Sequence, residues 1–161
     1  MGRVLTLGEL KEILPDLRRG KKVVFTNGCF DLLHAGHAHY LSECKKLGDL
    51  LVVGINDDDS VRRLKGPKRP ILPLPMRAYL LSNLKPVDFV VPFSEDTPIK
   101  LIEAIKPDVL VKGGDWSPDR IVGADLVRSY GGKVLTIPFK FDVSTSKIIE
   151  EVRRRYCSTA D

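Results

Sequence analysis

Two imidazoles three residues apart, His34 and His37, lie in the segment Gly28-Cys29-Phe30-Asp31-Leu32-Leu33-His34-Ala35-Gly36-His37, between an apolar β-like run and an amphipathic helical pattern. If a helix starts there, the two rings share one face. Gly36 between them leaves the backbone bare for close approach of a ligand, and a helix start offers unpaired N–H groups to an anion. Three chemistries are open to the pair: zinc ligation with His39 or Cys29, general-base catalysis, or donation of hydrogen bonds to a phosphate. Zinc is the weakest, because no two cysteines have ligand spacing and His39 points away from the other two on a helix. An isolated His-x-x-His is more often a capping or surface pair. Here the preceding strand, the glycine turn, Asp31 and Gly36 together favour a phosphate cradle.

The elements that must position this segment alternate between strand and helix patterns. Lys21 to Thr26 reads as a buried strand ending at Asn27-Gly28, and Tyr40, Leu41, Cys44 and Leu47 give the next segment a helical stripe closed by Gly48. Leu50 to Ile55 is continuously apolar, as expected of a strand covered on both faces, and completes a βαβ unit. A short helix carrying Val61 and Leu64 follows, and then the proline-rich stretch Lys65 to Pro75 reads as a mobile active-site loop. Arg77 to Leu84 is helical, Asp88 to Phe93 a third strand, and Thr97 to Ile105 a helix capped by Thr97 with Pro98 at its first position. Val109 to Lys112 is a fourth strand, Pro118 to Tyr130 a helix, Val134 to Ile137 a fifth strand, and a last helix runs from Ser144-Thr145-Ser146 to about Tyr156. The expectation is one α/β domain over residues 1–161, a doubly wound, five-stranded parallel sheet of Rossmann-like form. Residues 1–20 supply an N-terminal packing helix capped by Thr6, and residues 21–156 the catalytic core. Ligands of such sheets bind beyond the carboxyl ends of the strands.

Composition narrows the classes. The chain has 161 residues, 43% of them hydrophobic and 29% charged, which suits a globular domain with a substantial core. No apolar run approaches the roughly 20 residues needed to cross a bilayer. The cysteines are scattered and odd in number, and the N-terminus lacks a secretion-signal layout, so a reducing cytoplasm is expected. A net charge of +5 favours anionic small molecules without the concentration that nucleic acid binding demands. Neither a dinucleotide Gly-x-Gly-x-x-Gly nor a Walker-type loop occurs.

Further candidates sit at the predicted strand ends. Lys65, Arg69 and Arg77 suit triphosphate or sugar-phosphate oxygens, Arg77 most of all, since a cation at a helix start opposes the macrodipole unless it has another task. Lys112, Gly113, Gly114 and Asp115 suit close approach of a base or ribose, while Trp116 is a candidate for stacking or for plain packing. Asn56 and Asp57 are placed for sugar hydroxyls, and Asp31 for substrate or for orienting a histidine or the loop. Lys45 lies about 12 Å along the helix from His37 and reaches back toward an anion, or else serves as a cation at a helix C-terminus.

The block Gly28 to His37 resembles the His-x-Gly-His signature of the cytidylyltransferase-like nucleotidyltransferases, and the resemblance extends over about Lys21 to Tyr156. It is nearest to the adenylyltransferase domain that makes ADP-heptose from heptose 1-phosphate, a precursor of the lipopolysaccharide inner core. The likeness is carried by Thr26 to His37, by Arg63-Leu64-Lys65-Gly66 with Arg69-Pro70, by Leu110 to Asp115, and by Ser144 to Ile149. It implies that His34 and His37 stabilise charge on the α-phosphate, that Lys45 contacts substrate phosphate, and that Asn27, Gly28, Cys29, Phe30 and Gly36 contribute to the nucleotide site. Ser144, Thr145 and Ser146, an ordinary helix cap in any sequence, match the second family signature, whose hydroxyls and helix amides hold the β- and γ-phosphates. The last basic residue of that signature is replaced here, with Ile149 and Glu150 after Ile148, so no cationic contact is expected from that position. The implied substrates are ATP and a sugar 1-phosphate, with Mg²⁺ carried mainly by the triphosphate and no metal ligands of the protein's own. A homodimer is allowed, and a separate sugar kinase is expected to supply the substrate. The alternatives are a cytidylyltransferase acting on glycerol 3-phosphate or a similar alcohol, and an inactive nucleotide-binding regulatory module.

Overall fold

The computed structural model describes residues 1–157. Its strands are β1 (Arg3–Val4), β2 (Val23–Gly28), β3 (Leu50–Asn56), β4 (Phe89–Phe93), β5 (Val109–Gly113) and β6 (Lys133–Ile137), and its helices α1 (Leu7–Leu17), α2 (Ala35–Lys45), α3 (Asp58–Lys65), α4 (Leu74–Ser82), α5 (Ile99–Ile105), α6 (Ala124–Ser129) and α7 (Thr145–Tyr156). The strands form one six-stranded sheet in the order β1-β4-β3-β2-β5-β6, with every pairing parallel. The doubly wound parallel architecture is as expected, with six strands rather than five. The additional strand is β1, whose two exposed residues carry no hydrophobic pattern; it pairs with β4 because Gly2 lets the chain lie against the Val87 carbonyl, 2.5 Å from where a Cβ would stand.

Strands covered on both faces need apolar side chains at every position, and alternation sends them to opposite layers. Val23, Phe25 and Val52 join Leu10, Leu14, Ile102, Ile105 and Val127 in one core. Val24, Leu51, Val53 and Ile55 join Leu41, Cys44 and Leu81 in the other. The chain winds outward through β2, β3 and β4, then crosses back to place β5 on the free side of β2. That reversal opens a crevice at the carboxyl ends of β2 and β5.

Three local expectations are corrected. The helix expected over Pro118 to Tyr130 is a short 3-10 turn, Pro118–Arg120, followed by α6, because Gly123 turns the chain at φ +87° where a Cβ would stand 2.6 Å from Ile102. Helix α5 begins at Ile99 with Pro98 at its cap position and no side-chain cap, so Thr97 stays outside it. The stretch Lys65 to Pro75 is not a free loop: Asp31 accepts from Arg69 Nε at 2.7 Å, from the Ile71 amide at 2.7 Å and from the Leu72 amide at 3.0 Å. No helix among the described residues is long and apolar enough to cross a membrane.

Candidate active site

A cleft of about 970 Å³ lies over the carboxyl ends of β2 and β5. Its floor is the segment after β2. Phe30 and Leu32 hold left-handed backbone, at φ 52° and 47°, on either side of Asp31. Side chains other than glycine enter that region at a cost, and they persist where surrounding contacts over-determine them. The contacts are present: Arg77 Nη1 donates to the Cys29 carbonyl at 2.8 Å, and Thr145 Oγ1 donates to the Asp31 carbonyl at 2.5 Å.

His34 caps α2 and His37 occupies its third position, and the two rings cap each other's backbone. His34 Nδ1 accepts from the His37 amide at 3.4 Å, and His37 Nδ1 accepts from the His34 amide at 3.3 Å. The rings stack with centroids 3.7 Å apart. A neutral imidazole that accepts at Nδ1 carries its proton on Nε2, so each ring keeps one donor for the cleft. Burial, reinforced by the neighbouring His34 ring, pushes His37 down to about 4, and burial lowers His34 as well. Near neutral pH both act as neutral donors. Gly36 between them is close-packed, since a Cβ there would stand 2.9 Å from the His34 ring.

The charges around the rings are unequal. The acidic side chains at the cleft are already engaged: Asp31 with Arg69, Asp96 with Arg63 and Asp142 with Lys147. Lys65, Lys112, Arg120 and Lys140 line the cleft without a carboxylate partner among the described residues. Burial, and then the Lys65 charge, lower the Lys112 ammonium from its ordinary value. Burial raises the Cys29 thiol against the pull of Lys65, Arg77 and Arg69. Such a surplus of positive charge suits a polyanion.

Of the residues singled out by sequence, Asn27, Gly28, Cys29, Phe30, Asp31, His34, Gly36, His37, Asn56, Lys65, Arg69, Lys112, Gly113, Ser144, Thr145 and Ser146 line the cleft. Several have their polar atoms committed to the protein. Asp31 holds the proline-rich segment instead of facing substrate, Ser144 Oγ caps α7 by accepting from the Lys147 amide, and the Asn56 amide donates to Ser60 Oγ at 2.9 Å. Ser146 and the first amides of α7 remain for an anion.

Other assignments move away from the cleft. Lys45 is corrected to the opposite edge of the sheet, where its ammonium donates to the Asp49 carbonyl at 2.6 Å and to Asp88 at 2.5 Å; α2 points it toward the strand starts. Arg77 is corrected from phosphate ligand to buried strut: it is fully buried and donates to the carbonyls of Leu72, Cys29 and Asn56 and to Asp58. Asp57 caps α3 by accepting from the Ser60 amide at 2.8 Å and is not part of the cleft lining. Gly114 and Asp115 stand beside the cleft and not in its lining, Gly114 at φ +98° turning the chain outward after β5.

Sequence reasoning passed over the turn Asp96 to Pro98, the turn Arg120 to Val122, and the approach to α7 from Phe139 to Val143, all of which line the cleft. The only signal for the last was a pair of aromatics, Phe139 and Phe141, in a stretch with no burial pattern.

The Asp31 contacts yield a pH prediction. Burial alone would raise this carboxyl, but the Ile71 and Leu72 amides and Arg69 outweigh it and hold the group below its ordinary value. A folded pKa below the unfolded one stabilises the fold above the unfolded value, near 3.9, and the contribution is lost as pH falls through the folded value. Thermal melts from about pH 6 to about pH 2 should therefore fall more steeply for the wild type than for Asp31→Asn. The variant should start from a lower melting point at pH 7, because Arg69 has lost its charge partner; parallel curves would contradict the clamp.

A family model described as cytidylyltransferase-like matches residues 25–159. The bifunctional protein HldE of Trichlorobacter lovleyi is 57% identical over 148 residues, covering 91% of this chain and 30% of that protein. Its counterpart in Syntrophotalea carbinolica is 55% identical over 152 residues, covering 91% and 31%. The chain thus spans about a third of the length of these curated relatives. Among solved structures, the lipopolysaccharide core biosynthesis protein from Thermoplasma volcanium GSS1 is 38% identical with a TM-score of 0.61, covering 76% of this chain and 100% of that one. Pantoate-beta-alanine ligase from Francisella tularensis matches at a TM-score of 0.66 and 17% identity, covering 98% and 79%, a likeness of fold alone.

Proposed function

The chain belongs to the cytidylyltransferase-like family and is a nucleotidyltransferase, and from that premise we propose that it transfers AMP from ATP to a sugar 1-phosphate, D-glycero-D-manno-heptose 1-phosphate, releasing pyrophosphate. An oxygen of the sugar phosphate attacks the α-phosphorus in line; the new P–O bond forms as the bond to the β-phosphate oxygen breaks, and that oxygen leaves on pyrophosphate. The attacking phosphate is ionised at neutral pH, so no base is needed. Catalysis is positioning and neutralisation of growing charge.

The observation that carries this reading is the His34–His37 pair, two neutral rings whose Nδ1 atoms are occupied by backbone donors and whose Nε2–H groups remain for one anion. Lys65 and Lys112 supply charge beside them, and Ser146 with the first turn of α7 suits the triphosphate tail. In this reading Mg²⁺ is held by phosphate oxygens and water. Bound there, the ion neutralises triphosphate charge. The sugar 1-phosphate is the product of a sugar kinase, and the ADP-sugar serves lipopolysaccharide core synthesis.

Purified protein given Mg²⁺, the heptose 1-phosphate and each nucleoside triphosphate in turn should release pyrophosphate fastest with ATP. A preference for CTP would overturn the adenylyl assignment and leave the transferase in place.

A further inference from the structure

Helix α4 is apolar on both sides. Ala78 and Leu81 face the core beside the fully buried Arg77, while Pro75, Met76, Tyr79 and Leu80 face outward and are exposed. From Pro70 to Leu84 the only charged residue is Arg77, in a chain that is 29% charged, so this stretch offers no ion to water. A helix that is hydrophobic all round belongs in an interior. Tyr79 is 67% exposed, Met76 56% and Leu80 41%; together with Leu72 and Pro75 they line one groove, and Ile71, 49% exposed, precedes it in the chain. Apolar side chains scattered singly over a surface need no explanation, but a contiguous patch marks a surface that meets another molecule.

The two ends of this helix carry opposite charge. Asp58 accepts from the Leu74 amide at 2.9 Å and so brings the acidic start of α3, Asp58-Asp59, to the N-terminal end of α4. At the other end the Gly2 amide donates to the Ser82 carbonyl at 2.8 Å, which brings the exposed Arg3 to the C-terminal end, where the exposed Lys85 follows.

We propose that this face is where two copies of the chain pair, α4 against α4 and antiparallel about a two-fold axis. Such an arrangement sets the acidic end of each helix against the basic end of its mate and opposes the two helix dipoles, with the uncharged groove covered between them. The outward side chains present roughly 500 Å² per copy, so the pair buries on the order of 1,000 Å², the size at which specific interfaces begin. An anionic surface in the same place would meet Asp58 and Asp59. The pairing reaches the cleft through Leu72, whose side chain lines the groove while its amide donates to Asp31 and its carbonyl accepts from Arg77. A second copy seated there holds the segment that Asp31 already grips.

Sedimentation of the purified full chain without ligand should show a dimer at about 100 µM that dissociates on dilution, with a melting point that rises with protein concentration. Hydrogen exchange over residues 71–84 should slow between about 1 µM and about 100 µM. Tyr79→Glu, which would bury a charge within the pair, should weaken association about 100-fold or more and leave the circular dichroism of the fold unchanged. Tyr79→Phe should pair as the wild type does. A wild type that stays monomeric at about 100 µM would give the face to a different partner and overturn the pairing. So would concentration-dependent protection confined to other residues, or a Tyr79→Glu dimer as tight as the wild type. The exchange measurement uses the wild type alone and decides the question even if the glutamate variant fails to fold.

Discussion

His37→Ala should lose about 10²-fold or more in kcat while giving up only about 1 to 2 kcal/mol of stability. Alanine keeps the amide that His34 Nδ1 accepts, so the cap of α2 survives on that side. What disappears is the acceptor for the His34 amide and the Nε2–H donor aimed at the cleft. The first is a weak, 3.3 Å contact at a helix start; the second is a donor that matters only as charge builds on the phosphate, so its loss falls on kcat more than on KM. The pH dependence carries an independent sign. His37 is held at about 4 when folded, against about 6.5 unfolded. Between these values the unfolded chain binds more protons, so the wild type loses stability as pH falls through that window and the alanine variant loses less of it. By the same argument turnover should show no break near pH 6.5 from this ring. An alanine variant with wild-type kcat at saturating substrate would reduce the pair to helix architecture.

Arg77→Met should be the most destabilising single change, about 3 to 5 kcal/mol, with a melting point lower by about 10 °C or more. The methionine fills much of the volume, but it leaves the carbonyls of Cys29, Asn56 and Leu72 without the arginine donors they now have, and Asp58, which keeps the Leu74 amide, without its charge partner. A buried acceptor stripped of its partner costs the fold the full desolvation penalty of that group. Arg77→Lys should recover only part, because one ammonium lacks the planar fork that reaches several acceptors at once. Calorimetry separates this role from phosphate binding: a ligand of the triphosphate would give a variant that melts normally and shows a raised KM for ATP.

The two arginines of the proline-rich region explain why part of the site was legible in the sequence and part was not. Arg77 stood out as a cation that needs a task near a helix start, although α4 begins three residues earlier than expected, at Leu74, and ends at Ser82. Its task depends on which carbonyls are brought within reach, and those come from the ends of β2 and β3 and from the segment before α4. Arg69 lies at the cleft but is turned to Asp31, a partner 38 residues away. Lys45 shows the converse: a helical rise of the right length says how far a side chain travels and nothing about which edge of the sheet it travels toward. Asp88, its partner, belongs to the strand-start edge.

By itself the sequence determined the alternation of strand and helix, the parallel sheet, the helix start at His34 and the family signature around it, because these follow from local periodicity, capping chemistry and contiguous residues. Only the tertiary structure decided that β1 adds a sixth strand, that Asp31 and Arg77 serve the framework, and that the histidines cap each other and so keep Nε2–H for the cleft. Those outcomes depend on pairs far apart in the chain, and the burial that fixes their charge and tautomer exists only once the sheet and its helices have closed around them.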